Sequence, residues 1–89
     1  MARRPAPNPA RGASSIHFAL HAAGIVHLAV FDIAGRRVAT LAEGTLPAGI
    51  HARTWNLRDG EGRTVGSGVY VLRLVTPDGV LTRRLQVAR

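Results

Sequence analysis

The 89-residue sequence predicts an all-β domain, an immunoglobulin-like antiparallel β-sandwich of about seven strands. First, short segments rich in apolar and β-branched residues alternate with clusters of Gly, Pro, Asp and Asn, which are typical of turns. Second, apolar and polar residues alternate within several of these segments, as they do in a strand with one buried face. Third, no segment has convincing helical periodicity. Short strands of this kind favour two antiparallel sheets packed face to face.

The N-terminal residues 1–12 are predicted to form an extended linker, and residues 13–89 the sandwich domain. Pro5, Pro7 and Pro9 lie close together in the linker, and closely spaced prolines favour an extended chain. No apolar segment follows the N-terminal arginines, so this chain carries no signal peptide. If the protein works outside the cell, the chain is expected to be the tail of a longer precursor.

Six segments are predicted to be strands, and residues 63–65 would form a short seventh strand at an edge. Turns rich in Gly, Pro or Asp are expected between them. The strict alternation is weakest in the third segment. In chain order the six are residues 14–21 (SSIHFALH), 25–33 (IVHLAVFDI), 36–44 (RRVATLAEG), 50–57 (IHARTWNL), 69–76 (VYVLRLVT) and 80–88 (VLTRRLQVA).

Apolar residues that share one face of their strands are expected to form the core between the two sheets. Arg53 has the same strand parity as Trp55. It therefore points inward, pairs with a carboxylate such as Asp32 or Glu43, or marks a bulge. The predicted core residues are Ile16, Phe18, Leu20, Val26, Leu28, Val30, Trp55, Tyr70, Leu72, Leu74, Leu81, Leu85 and Val87.

The segment AGRR, residues 34–37, has two interpretations: a loop that binds an anion, or a chain reversal. A phosphate-binding glycine loop needs a helix behind it to direct free N–H groups at the ligand. A predicted strand follows instead. Residues 32–36 are therefore predicted to form a tight hairpin turn in which Gly35 adopts a positive φ.

The formal net charge is +7, from twelve basic residues, all of them arginine, against five acidic residues. The arginines are dispersed along the chain, whereas nucleic-acid binders concentrate their cations on one face or in one tract. We therefore expect no specific binding of nucleic acid. The longest uncharged segment, residues 12–31, is interrupted by histidines and is not a membrane span. The excess charge favours an acidic partner, although arginine usage alone is equally explained by a GC-rich genome.

No arrangement of residues in the sequence indicates catalysis, a metal or a cofactor, and we expect the protein not to be an enzyme. On a strand, His17 and His21 would stand about 13 Å apart, too far to share a metal ion, so the histidines are expected at the rim or in solvent. The segment DGEG, residues 59–62, lacks the closing glutamate of a calcium loop and is predicted to be a plain turn. The serines lie in no nucleophile motif.

Several motifs, in a fixed order, resemble the C-terminal sorting domain of type IX secretion cargo. That domain is closely related to the immunoglobulin-like domain of the flagellar hook-capping protein. The most specific motifs are D-x-x-G-R-x-V, then P-A-G, then a tryptophan, then G-R-x-V-x-S-G-V-Y. The resemblance extends over nearly the whole chain, from Pro7 to Arg89.

The resemblance implies a seven-stranded sandwich that is the last domain of a secreted protein and is recognised by an outer-membrane translocon. In typical cargo a sortase-like peptidase then removes the domain, and the cargo is anchored to surface lipopolysaccharide. The implied location is secreted or at the cell surface. The positions that match the family are Pro7, Asn8, Pro9, Asp32, Gly35, Arg36, Trp55, Gly68 and Tyr70, with the basic C-terminal residues Arg83, Arg84 and Arg89.

Two positions depart from the family pattern. Asn56 and Leu57 follow Trp55 where the family more often has W-D-G, and Arg53 stands where the family usually has an apolar residue. Both departures concern fine recognition rather than the fold.

A sorting signal of this type would consist of a folded shape and a terminal strand. Residues 80–88 would offer edge hydrogen bonds, and their arginines positive charge, to a receptor by β-augmentation. Alternatively, Arg83 and Arg84 only keep an edge strand soluble. A second function that the resemblance allows is a structural module that associates with itself or with a filament.

Overall fold

The computed structural model describes Ala6 and residues 10–88, which form six β-strands and no helix. Each strand begins within one residue of a predicted segment. The strands are β1 (Ser14–Leu20), β2 (Gly24–Asp32), β3 (Arg37–Leu46), β4 (Gly49–Trp55), β5 (Gly68–Thr76) and β6 (Gly79–Val87).

The strands form two sheets in which every strand pair is antiparallel, as the sequence predicted. β1 and β4 form a two-stranded sheet. The other four strands form a sheet with the order β3-β2-β5-β6. The C-terminal strand β6 is therefore an edge strand of the larger sheet, with β3 at the opposite edge.

The prediction of about seven strands is wrong in number, because residues 63–65 do not form a strand. Thr64 makes only an isolated bridge to Arg58. This glycine-rich segment closes a turn instead, in which the N–H of Asp59 donates to the carbonyl of Arg63 at 2.8 Å. Too few residues remain outside the turn for a continuous ladder.

The core lies between the two sheets and matches the predicted set closely. Of that set, Leu81 alone is partly exposed, and it still packs against the core. The structure adds Ala10, Ala29, Ala42 and Leu57 to the buried hydrophobic residues. Leu57 is unusual, because it is fully buried and also has a positive φ of 61°.

Two β-bulges explain why the alternation is weak in β3. Its register against β2 shifts twice, so that Val38 and Leu41 are each an extra residue. A bulge adds one residue to one strand and interrupts the alternation of its side chains. As a result Val38, Ala39, Leu41 and Ala42 all pack against the core.

Ala6 and Ala10 belong to the predicted linker, yet both pair with the sandwich. Ala6 forms an antiparallel bridge to Ser15 in β1, and Ala10 forms a parallel bridge to Val87 in β6. Ala10 is completely buried. The division of the chain at residue 12 stays a prediction, but Ala10 contacts the core rather than spanning solvent.

Candidate interaction surface

The turn between β2 and β3 positions Asp32, Gly35 and Arg36. The Oδ1 of Asp32 accepts hydrogen bonds from the N–H groups of Ala34 and Arg36 at 2.9 and 3.0 Å. Gly35 has a φ of 85°, and its N–H donates to the carbonyl of Asp32 at 3.0 Å. The predicted hairpin turn is confirmed. The Asp32 carboxylate already accepts hydrogen bonds from the N–H groups that a bound anion would need, which excludes the anion-binding interpretation.

The same turn occurs a second time, at Asp59, Gly62 and Arg63, where the sequence predicted a plain turn but not this repeated geometry. The Oδ1 of Asp59 accepts two backbone N–H groups, at 2.9 and 3.0 Å. Gly62 has a φ of 85°, and its N–H donates to the carbonyl of Asp59 at 3.0 Å. The signal that identifies the turn is the spacing D-x-x-G-R-x-V, which residues 32–38 and 59–65 share.

The second turn lies against the edge of β3. The N–H of Gly60 donates to the carbonyl of Val38 at 3.0 Å. Within the turn, the hydrogen bond from the N–H of Arg63 stabilises the charged carboxylate and lowers the pKa of Asp59 below its ordinary value. The turn therefore covers part of the β3 edge.

Trp55 and Tyr70 connect the loop between β4 and β5 to the core. Their rings pack edge to face, with centroids 5.4 Å apart. The Nε1 of Trp55 donates to the carbonyl of Arg58 at 2.9 Å, and the hydroxyl of Tyr70 donates to the carbonyl of Gly66 at 2.7 Å. Gly68 begins β5 with a φ of 153°. Trp55, Tyr70 and Gly68 match the family pattern. The two aromatic residues join the loop to the core, and Gly68 begins β5.

Arg83 and Arg84 lie in the middle of β6 and point to opposite faces, because side chains alternate along a strand. Arg83 is half-buried, and its Nη1 donates to the carbonyl of Thr82 at 3.0 Å. Arg84 is exposed and lines a groove with Asp32 and Gly35. The structure thus brings one C-terminal arginine close to the first turn.

The outer edge of β6 is covered only at its C-terminal end. There the N–H of Ala10 donates to the carbonyl of Gln86 at 2.8 Å, and the N–H of Ala88 donates to the carbonyl of Ala10 at 2.9 Å. Backbone groups of alternate residues point to the same edge, so those of Thr82 and Arg84 also point outward. Among the described residues, no other segment pairs with this edge.

Arg53 points inward, the first of the three alternatives. It is half-buried on the same side of β4 as Trp55, and its Nη1 donates to the carbonyl of Ala52 at 2.8 Å. Neither Asp32 nor Glu43 is its partner, because they pair with other cations. The pairing of β1 with β4 has no register shift, so Arg53 does not mark a bulge.

The histidines occupy separate positions. His17 and His21 are exposed, the Nε2 of His27 lies 3.3 Å from the Oε2 of Glu43, and His51 stacks on Phe18. In the part of the chain that the structure describes, no three His, Asp or Glu side chains are arranged to hold a metal ion. That same part contains no helix long and apolar enough to cross a membrane.

Four of the residues that the resemblance implies lie outside the described part of the chain. They are Pro7, Asn8, Pro9 and Arg89.

No protein-family model matches the sequence, and no curated protein sequence matches it. Solved structures share its fold. Dimeric latent PorU from Porphyromonas gingivalis has a TM-score of 0.72 at 21% identity, over 94% of this chain and 9% of that chain. PorZ, described as an essential bacterial surface component of the type IX secretion system of P. gingivalis, has a TM-score of 0.64 at 26% identity, over 96% and 11%.

FlgD from P. aeruginosa has a TM-score of 0.63 at 22% identity, over 92% of this chain and 68% of that chain. The chain therefore spans about a tenth of PorU and PorZ and about two-thirds of FlgD. The fold of this chain therefore recurs in a small part of PorU, in a small part of the type IX secretion component PorZ, and in FlgD.

Proposed function

We propose that the chain is a non-enzymatic, immunoglobulin-like sorting domain that directs an attached protein across the outer membrane to the cell surface. The observation that carries the proposal is the open edge of β6, the C-terminal strand, which bears Arg83 and Arg84. The ordered sequence motifs and the fold shared with PorU and PorZ support it.

The open edge gives a receptor a backbone to pair with. Thr82 and Arg84 direct N–H and C=O groups outward, and each hydrogen bond to an added strand contributes about 0.5–1.5 kcal/mol. Ala10 occupies the C-terminal part of the same edge. An added strand therefore has the residues before Gln86 available to it.

The partners implied are an outer-membrane translocon, which would recognise the folded domain, and a sortase-like peptidase, which would remove it. The domain itself supplies no catalytic group in this scheme. Its contribution is a rigid sandwich that holds β6 at a sheet edge, where the backbone and the exposed Arg84 are accessible together.

The test is surface display of a fluorescent reporter fused to the domain, in a bacterium that has the type IX pathway. Deletion of the last residues is unsuitable, because it removes Leu85 and Val87 from the core. The informative variant combines Arg83→Gln with Arg84→Gln. Arg58→Gln controls for the loss of an exposed arginine elsewhere, because Arg58 lies in the loop between β4 and β5.

We expect the wild-type fusion and the Arg58→Gln fusion on the surface, and the double variant in the periplasm. Surface protease accessibility of the reporter distinguishes the two locations. If the wild-type fusion stays in the periplasm with the unfused reporter, the sorting function is refuted. If the double variant reaches the surface as well as the wild type does, the arginines serve only the solubility of the edge.

The second candidate is a structural module that self-associates or joins a filament, with no role in export. The fold similarity to FlgD favours it, because the match extends over 68% of that chain. Light scattering after size-exclusion chromatography tests this candidate. A concentration-dependent oligomer would support self-association, whereas a monomer at all concentrations would exclude it.

A further inference from the structure

The four-stranded sheet has an outer face, turned away from β1 and β4, that carries an apolar groove. We define the outer groove by the residues of its floor and rim that the argument uses: Phe31, Ile33, Val71, Arg73 and Arg84. Its volume is about 450 Å³. Phe31 pairs with Val71 across the strands, and Val71 pairs with Arg84, so these three side chains form one row.

The apolar side chains of this sheet are more exposed than a core requires. Ile33 is 80% exposed, Ile25 is 72% exposed and Val80 is 64% exposed. These are three of the four large hydrophobic residues that are exposed in the described part of the chain, and all belong to this sheet or the turn at its end. Of these three residues Ile33 lines the groove, and an exposed apolar side chain beside an apolar groove indicates a protein contact.

The groove also carries arginines without partner carboxylates. The guanidinium of Arg73 lies 5.0 Å from the centroid of the Phe31 ring. Arg84 lines the same groove, and Arg37 pairs with Phe31 from the other side. None of the three arginines forms an ion pair within the described residues.

The one carboxylate among the residues lining the groove is already engaged. The Oδ1 of Asp32 accepts two turn N–H groups, and its Oδ2 lies 3.6 Å from the Nε of Arg36. Asp32 therefore leaves the charge of Arg73 and Arg84 uncompensated. A ligand that brings its own carboxylates would complete the groove.

We propose that the outer groove binds an extended protein segment in which acidic and apolar residues alternate at every second position, so that both kinds of side chain lie on the face turned to the groove. Carboxylates of the segment pair with Arg73 and Arg84, and guanidinium groups bind carboxylates in bidentate geometry. Apolar side chains of the segment cover Phe31 and Val71. This inference rests on the proposed function only in taking a protein as the partner.

The geometry favours a protein segment over nucleic acid. Nucleic-acid binding by stacking requires an aromatic ring with an open face, but the guanidinium of Arg73 covers the ring of Phe31. The apolar floor between the arginines also offers nothing to a phosphate backbone. Carboxylate and apolar groups in alternation match both parts of the groove.

The test measures fluorescence anisotropy of a labelled short peptide of repeating Glu-Ser-Leu-Ser, called the Glu–Leu peptide, with the purified domain. The comparison probes are a Glu–Ser peptide of repeating Glu-Ser-Ser-Ser and a Lys–Leu peptide of repeating Lys-Ser-Leu-Ser. Arg73→Gln removes one cation from the groove, and Phe31→Ala removes its floor. Arg53→Gln is the charge-matched control, because Arg53 lies on the other sheet.

We expect the Glu–Leu peptide to bind, and the Glu–Ser and Lys–Leu peptides to bind more weakly. Loss of a charged hydrogen bond predicts that Arg73→Gln weakens binding about tenfold, while Arg53→Gln leaves it unchanged. Thermal unfolding shows whether Phe31→Ala destabilises the domain. Arg73 is exposed, so Arg73→Gln removes no buried group and tests binding without disturbing the fold.

Three outcomes would overturn the inference: no binding of the Glu–Leu peptide, equal weakening by Arg53→Gln, or displacement of the peptide by duplex DNA or by phosphatidylglycerol vesicles. The last would assign the groove to a different class of anion. Because the binding assay uses purified domain, its failure leaves surface display intact. Failure of display with intact peptide binding would instead refute the sorting function.

Discussion

Leu57 offers the sharpest test of the fold, because its backbone and its side chain have opposite requirements. Its φ of 61° lies in the left-handed region, where a non-glycine residue costs about 1–2 kcal/mol. Its side chain is nevertheless completely buried in the core. Substitution by Ala and by Gly separates the cost of the positive φ from the gain of side-chain burial. Both substitutions remove the buried side chain, but only Gly also removes the backbone strain.

The Leu57→Ala variant should lose about 2–5 kcal/mol of unfolding free energy, the usual range for a buried leucine. The Leu57→Gly variant loses the same contacts and regains the backbone cost of about 1–2 kcal/mol. The greater freedom of glycine in the unfolded chain offsets about 0.4–1 kcal/mol of that gain. We therefore expect Leu57→Gly to be about 0.5–1 kcal/mol more stable than Leu57→Ala, which reverses the ordinary order.

Urea unfolding followed by tryptophan fluorescence measures both variants, because the single tryptophan, Trp55, is buried in the core. Leu85 is the matched control, since it is equally buried but lies in β6 without a positive φ. There the Ala variant should be the more stable one. An Ala variant at position 57 more stable than its Gly counterpart would refute the left-handed conformation.

Three further predictions concern contacts in the described residues. Gly24→Ala should lower the urea midpoint sharply, because the added Cβ would lie 2.3 Å from the Cγ of Pro77. Tyr70→Phe should cost about 0.5–1.5 kcal/mol of unfolding free energy, because its hydroxyl donates to a loop carbonyl; an unchanged midpoint would contradict that bond. The hydrogen bond from the N–H of Arg63 lowers the pKa of Asp59 in the folded protein. The stability that the Asp59 carboxylate contributes is therefore complete above its ordinary pKa of 3.8, and it is lost as the pH falls through the lower pKa of the folded state. The difference in urea midpoint between the wild type and Asp59→Ala should therefore shrink below pH 3.8, and a difference that grows there would contradict the shift.

Local patterns were sufficient to predict most of the fold. Alternation located the six strands to within one residue at their starts, and the predicted core is buried apart from part of Leu81. The two bulges in β3 could not be read from the sequence, because a bulge is a property of pairing with a partner strand. The burial of Ala10 was missed for a similar reason, since it depends on a bridge to Val87, far away in the chain.

The candidate surface was predictable only in part. Arg83 and Arg84 were expected on an edge strand because the resemblance implied a terminal strand offered to a receptor, and β6 does lie at a sheet edge. Predicting the outer groove would have required the register between β2, β5 and β6, because that register places Phe31, Val71 and Arg84 in one row. A plain turn at residues 59–62 was predicted, but its likeness to the first turn, which is visible as a repeated spacing, was not recognised.

The central claim is that a receptor recognises the open backbone edge of β6. Thr82→Pro tests it directly, because proline removes one outward N–H and leaves the pairing with β5 in place. Thr54→Pro is the matched control. The backbone N–H and C=O of Ser15 bond to Ala6 and so point away from β4. Ser15 and Thr54 are therefore a pair without hydrogen bonds between them, and the N–H of Thr54 points to the outer edge of β4.

The decisive measurement is surface display of the reporter fused to each proline variant, with urea midpoints verified beforehand on the purified domains. Recognition of the β6 edge predicts that the Thr82→Pro fusion stays in the periplasm while the Thr54→Pro fusion reaches the surface. Display of a folded Thr82→Pro fusion at the wild-type level would contradict the claim.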